Sequence, residues 1–107
     1  MNGSGVLETE VARRPMEVAR EVARLTREIL GHELEIIWYG SWPGGRAQPH
    51  SDIDLAVAAA GPITLERMTA LREVVENIPT LYEIDLVDLA SVGQPLRTEI
   101  LLHGVRL

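Results

Sequence analysis

The chain has 107 residues, 46% of them hydrophobic, with no cysteine and a formal net charge of −6. The length suits one compact domain, and the missing cysteine excludes a disulfide scaffold, thiolate zinc sites and thiol catalysis. The acidic balance argues against direct nucleic-acid binding, because that affinity comes from neutralising phosphates.

Residues 1–10 are polar and glycine-rich, and a frayed, disordered start is expected there within a single domain over 1–107. They hold no signal-peptide stretch, and no apolar run approaches the roughly 20 residues that span a bilayer. A cytoplasmic location without membrane association is expected. After Pro15, Val18, Val22, Leu25 and Ile29 recur at helical spacing, and Gly31 supplies a stop. Leu34–Tyr39 is a β-branched and aromatic run of strand length. A Gly- and Pro-rich loop, Gly40–Ser51, leads into a second strand, Asp52–Ala58. That loop is too short for a crossover helix, so the two strands should be antiparallel. Leu65, Met68, Leu71, Val74 and Ile78 mark a second amphipathic helix, with Thr64 as N-cap and Pro79 beyond its end. Glu83–Leu89 reads as a third strand, Pro95–Leu102 as a short helix closed by Gly104, and Val105–Leu107 as a last short strand. The economical fold is α+β: a small mixed sheet with helices packed on one face.

The chemistry concentrates in Gly40–Leu55, GSWPGGRAQPHSDIDL. Asp52 and Asp54 stand two apart on a strand, so both carboxylates leave the same face while Ile53, Leu55 and Val57 turn inward. Like charges so placed repel unless a cation intervenes. Mg²⁺ suits the position, since it takes carboxylate and phosphate oxygens together. Gly40-Ser41 follows a strand directly, where a glycine admits close ligand approach and backbone amides with a hydroxyl can hold phosphate. Asp85 lies on another strand between Ile84 and Leu86 and has the alternation to join the pair. Three carboxylates with two Mg²⁺ ions are a known solution for in-line displacement at phosphorus. Glu83 shares the Asp85 face and is an accessory candidate. Asp88 falls on the opposite face, as a strand-end or capping residue. His32, His50 and His103 have no metal-binding spacing. Arg97 could reach phosphate, although a helix-surface role is the simpler reading.

Gly40-Ser41, then ten residues, then Asp52-Ile53-Asp54 resembles the signature of the DNA polymerase β-like nucleotidyltransferases. Gly45, Ala47, Pro49 and Ser51–Leu55 resemble the loop of their minimal nucleotidyltransferase (MNT) branch. Ile84–Val87 resembles the strand of the third carboxylate, and Glu99–Leu101 with Gly104-Val105 the family's end. The resemblance implies a palm-like nucleotidyltransferase fold. It places the triphosphate on Gly40 and Ser41, two metal ions on Asp52 and Asp54, and the catalytic metal and incoming hydroxyl at Asp85. It also implies ATP or another NTP as substrate and a HEPN-type ribonuclease toxin as partner, neutralised by transfer of AMP to a tyrosine. Trp42 and Pro43 depart from the family's usual Arg and Ala. Trp42 either stacks on a base or covers the loop, and Arg46 is the nearest substitute cation. Two other readings stand beside the enzyme: an antitoxin that acts by binding alone, and a transferase for a small hydroxylated molecule. Homo- or hetero-oligomer formation stays open.

Overall fold

The computed structural model describes Leu7 and residues 9–107. Most of the expected frayed start, residues 1–6 and 8, lies outside the described residues; Leu7 packs into the core. Helix α1 spans Arg13–Leu30 and is followed by strand β1, Glu35–Tyr39, and strand β2, Ile53–Ala58. Helix α2 covers Leu65–Glu76, with Thr64 capping it by accepting from the Arg67 amide. Strand β3 is Ile84–Asp88, a 3₁₀ turn covers Leu89–Ser91, helix α3 is Gln94–His103 and strand β4 is Val105–Arg106. Among the described residues no helix is long and apolar enough to cross a membrane.

The sheet runs in the order β3-β2-β1-β4. β1 is antiparallel to β2 and to β4, while β2 and β3 are parallel. The antiparallel β1–β2 pair is the arrangement that the short loop requires. Beyond exposed Glu35, β1 is buried on both faces, which is why IIWY reads as an unbroken apolar run.

On one face, Ile36, Trp38, Leu55, Val57 and Leu86 pack against the inner sides of α1 and α2. On the other, Ile37, Tyr39 and Ala56 meet Leu89 of the 3₁₀ turn and Ile100 of α3. The one-face expectation thus holds for the two long helices, whereas the short one lies opposite. The reason is topological. The chain must travel from β3 to β4, which are opposite edges of the sheet, and α1 and α2 already occupy one face.

Two helix seams differ from the periodicity read in the sequence. α1 buries Thr26 and Leu30, with Leu25 and Ile29 only half-buried. α2 turns Met68, Leu71 and Val75 inward and leaves Leu65 76% exposed. Gly104 is where α3 turns into β4. A Cβ there would strike Ile37 and the Ile100 carbonyl, and would lie 3.3 Å from the Trp38 carbonyl.

Polar staples close the fold where helices and strands end. Helix ends leave carbonyls without partners, and a guanidinium offers five donors in a fork. Arg67 donates to the Leu30 carbonyl at 2.9 Å, and Arg97 donates to the carbonyls of Leu89, Ala90 and Val92. Arg97 is therefore committed to the backbone of the 3₁₀ turn. Asp88, buried, caps that turn by accepting from the Ala90 amide at 3.1 Å and the Ser91 hydroxyl at 3.1 Å. It also accepts from the Ile63 amide at 2.8 Å, which ties the approach to α2 onto the end of β3. Removing this acceptor leaves three part-buried donors without their partner, so Asp88→Ala should cost about 1–3 kcal/mol. Urea denaturation of the two proteins measures this; a loss under 1 kcal/mol would show that the staple contributes little.

Candidate active site

The register of the sheet builds the site. Tyr39 on β1 is the Cα partner of Asp54 on β2, and Asp54 is in turn the Cα partner of Asp85 on β3. Cross-strand partners project from the same face with Cβ atoms about 5 Å apart. The three side chains therefore form a row across one end of the face that α3 partly covers. Ile53 and Leu55, between and beyond the acids, are fully buried on the opposite face. Asp52 lies just before β2, exposed.

Electrostatics confirms that the acids sense one another. The Asp54 carboxyl is pushed up to about 6 by burial first, then by Asp85, then by Asp52. The Tyr39 phenol is pushed up to about 12, again by burial first and then by Asp54 and Asp85. Among the described residues, none of the three aspartates has an Arg or His within ion-pairing distance. The cluster is thus an uncompensated pocket of negative charge. It is not a closed metal cage: among the described residues no group of three or more His, Cys, Asp or Glu converges closely enough to hold an ion alone. Hard oxygen donors that converge only partly suit a cation such as Mg²⁺, which usually binds one or two carboxylates and completes its shell with waters and substrate phosphates.

The loop between β1 and β2 sets the site's other wall. Gly40 has φ +85°, and a Cβ there would collide with the Asp54 carboxylate. Glycine is required on both counts. The chain then curls, with the Gly44 amide donating to the Gly40 carbonyl at 3.1 Å and the Arg46 amide to the Ser41 carbonyl at 2.9 Å. The leading amides of such a turn have no carbonyl within it to meet, which is the property that suits oxyanions. Ser41 is half-buried at this position.

Trp42 covers the loop. It is 3% exposed, donates through Nε1 to the Ser51 carbonyl at 3.1 Å, and packs edge-on against Tyr82 with ring centroids 6.2 Å apart. It anchors the loop to the segment before β3. Arg46 and His50 are exposed. Glu83 uses its main chain, its carbonyl accepting from the Ile53 amide at 2.8 Å, and its side chain is exposed. Tyr39 is the member of the row that sequence reasoning missed, where it is only the last residue of the strand run Leu34–Tyr39. Its signal was available: antiparallel pairing around the short loop sets the last residue of β1 opposite Asp54.

A family model described as "Polymerase beta, Nucleotidyltransferase" matches residues 24–107. The chain belongs to that family. No curated protein matches it. Among solved structures, a toxin–antitoxin complex with AMP-PNP contains a chain that aligns with this nucleotidyltransferase at a TM-score of 0.66 and 27% identity, over 82% of this chain and 70% of the other. A second, the tri-AMPylated Shewanella oneidensis HEPN toxin in complex with an MNT antitoxin, aligns at a TM-score of 0.64 and 25% identity, over 85% and 69%. These neighbours are toxin–antitoxin structures, and the chain shares their fold.

The raised Asp54 carboxyl has a consequence for stability. Its ordinary value is 3.8 and its folded value about 6. Between these the folded protein binds this proton more tightly than the unfolded chain does, so stability falls as pH rises through that window. Asp54→Asn removes the dependence. In metal-free buffer the variant should melt above the parent at pH 7 and should show a flatter pH profile between about 4 and 6. Thermal melts across that range test it; an Asn variant less stable than the parent at pH 7 would contradict the electrostatic account.

Proposed function

We propose that this nucleotidyltransferase is the antitoxin half of a toxin–antitoxin pair and moves AMP from ATP onto a hydroxyl of a HEPN-type toxin. The observation that carries the reading is the juxtaposition of Asp54, Asp85 and Gly40 at one end of the sheet, uncompensated by any cation among the described residues. The AMP-PNP complex and the AMPylated toxin among the structural neighbours support the choice of nucleotide and acceptor.

In this reading the turn at Gly40 and Ser41 holds the triphosphate through its amides and the serine hydroxyl. Asp52 and Asp54 are the residues that would hold Mg²⁺, whose charge offsets that of the triphosphate and of the departing pyrophosphate. Asp85, exposed at the rim, orients the acceptor hydroxyl and takes its proton. The hydroxyl oxygen bonds to the α-phosphorus, the bond from that phosphorus to the bridging oxygen breaks, and pyrophosphate leaves. The half-buried setting of Asp54 removes part of the water that would otherwise screen these charges. Tyr39 walls the site on the β1 side and keeps its proton at neutral pH.

A second reading rests on Trp42. That side chain is spent on holding the loop, so the position offers no cation to phosphate, and toxin binding without transfer would then account for neutralisation. One experiment separates the two. The protein is incubated with Mg²⁺, α-labelled ATP and a HEPN toxin encoded beside it, and label on the toxin is followed alongside toxin activity. The Asp52→Asn, Asp54→Asn double variant should lose about a thousandfold or more in labelling rate, several kcal/mol of barrier, while still folding. If the variant silences the toxin as well as the parent does, binding suffices and the transfer reading fails.

A further inference from the structure

Building on the reading that Asp85 faces the acceptor, the geometry points to the open edge of β3 as the track on which the acceptor docks. Its occupant is an extended, basic segment of the partner protein that adds to the sheet as a further strand.

The hydrogen-bond directions are set by two facts. The Ile53 amide donates to the Glu83 carbonyl at 2.8 Å, and Ile53 and Asp54 are in register with Ile84 and Asp85. In a parallel ladder that turns the backbone groups of Glu83, Asp85 and Val87 toward β2 and those of Ile84, Leu86 and Asp88 away from it. Arg72 agrees, since it donates to the Leu86 carbonyl at 3.1 Å from outside the sheet. Among the described residues no hydrogen bond takes up the Ile84 or Leu86 amide. Unmet edge groups of this kind are a template for another strand, and proteins commonly guard them. The opposite edge is guarded by brevity, because β4 is two residues long. Here a single arginine guards a single carbonyl.

A groove of about 370 Å³ crosses this edge near the end of β3. Leu65 and Met68 line it from the side of α2, and Val87 and Val92 from the carboxylate face. Leu65 is 76% exposed there. Side chains on a strand repeat every second residue on one face. On an added strand, the residue opposite Val87 and the residue opposite Asp85 are therefore two apart and share the carboxylate face. An apolar side chain seated in the groove would set a hydroxyl two places away beside Asp85. Exposed Glu83 and Asp85 lie on that same face, so the next side chain on that face of the added strand, opposite Glu83, is basic. In this mode main-chain hydrogen bonds supply affinity and alternate side chains supply specificity.

The test reads backbone amides and needs neither nucleotide nor metal. The probe is a short peptide with a central tyrosine, a valine two places to one side, an arginine two places to the other and threonines between them. Residue-resolved hydrogen exchange of the full chain is followed as peptide is added. Exchange at the Ile84 and Leu86 amides should slow about tenfold or more, with little change at Asp85 and Val87, whose amides already pair with β2. Two N-methylated peptides, each blocked at one set of alternate amides, should differ: one set abolishes the protection and the other leaves it. Equal behaviour of the two, protection at inward and outward amides alike, or no protection at millimolar peptide would overturn the assignment. Failure of AMP transfer leaves this result untouched, and a labelled toxin could not rescue it.

Discussion

Placing like charges side by side on neighbouring strands is expensive, and this sheet does so at Asp54 and Asp85, with Tyr39 beside them. The cost is visible in the raised Asp54 carboxyl, and burial is its largest cause. A protein selected for stability alone would put an arginine there, and ten arginines are available. Several are instead bound to backbone carbonyls, among them Arg27, Arg67, Arg72 and Arg97. A perturbed carboxylate with no cationic partner among the described residues, held against a tight glycine turn, is the pattern of a functional site.

The remainder of the fold holds this unfavourable row in place. The parallel β2–β3 pair sets Asp54 beside Asp85, and the antiparallel β1–β2 pair brings Gly40 against Asp54. Trp42 then secures the loop through Ser51 and Tyr82, so that the turn at Gly40 is tethered at both ends. Asp88 performs the matching task at the far end of β3, where it joins the 3₁₀ turn to the approach of α2. The two aspartates of β3 thus serve opposite purposes. Asp85 is exposed and has no hydrogen-bond or ion-pair partner among the described residues, while Asp88 is buried and accepts three hydrogen bonds.

Much of this was legible in the sequence because it rests on short-range periodicity. The element order, the antiparallel loop, the cap at Thr64, the inward turn of Ile53 and Leu55, and the capping role of Asp88 all follow from alternation and turn chemistry. What was not legible depends on tertiary placement. Whether Leu65 or Val75 belongs to the seam of α2 depends on where the helix ends relative to the sheet edge. The position of α3 on the second face follows from strand order, which periodicity does not encode. Arg97 and Trp42 could each have met a ligand or the backbone, and only the path of the folded chain puts the 3₁₀ carbonyls and the Ser51 carbonyl within their reach. Tyr39 was readable in principle, once pairing across the loop is taken residue by residue.

The central proposal is that the carboxylates of Asp52 and Asp54 hold a divalent cation together with a triphosphate cradled at Gly40 and Ser41, with Asp85 beside it. Paramagnetic broadening reads it directly, with Mn²⁺ in place of Mg²⁺ and AMP-PNP as the nucleotide. The account predicts selective loss of amide signals at Gly40, Ser41, Asp52–Asp54 and Asp85, dependent on nucleotide. Broadening confined to the exposed glutamates of α1, or unchanged by nucleotide, would contradict it.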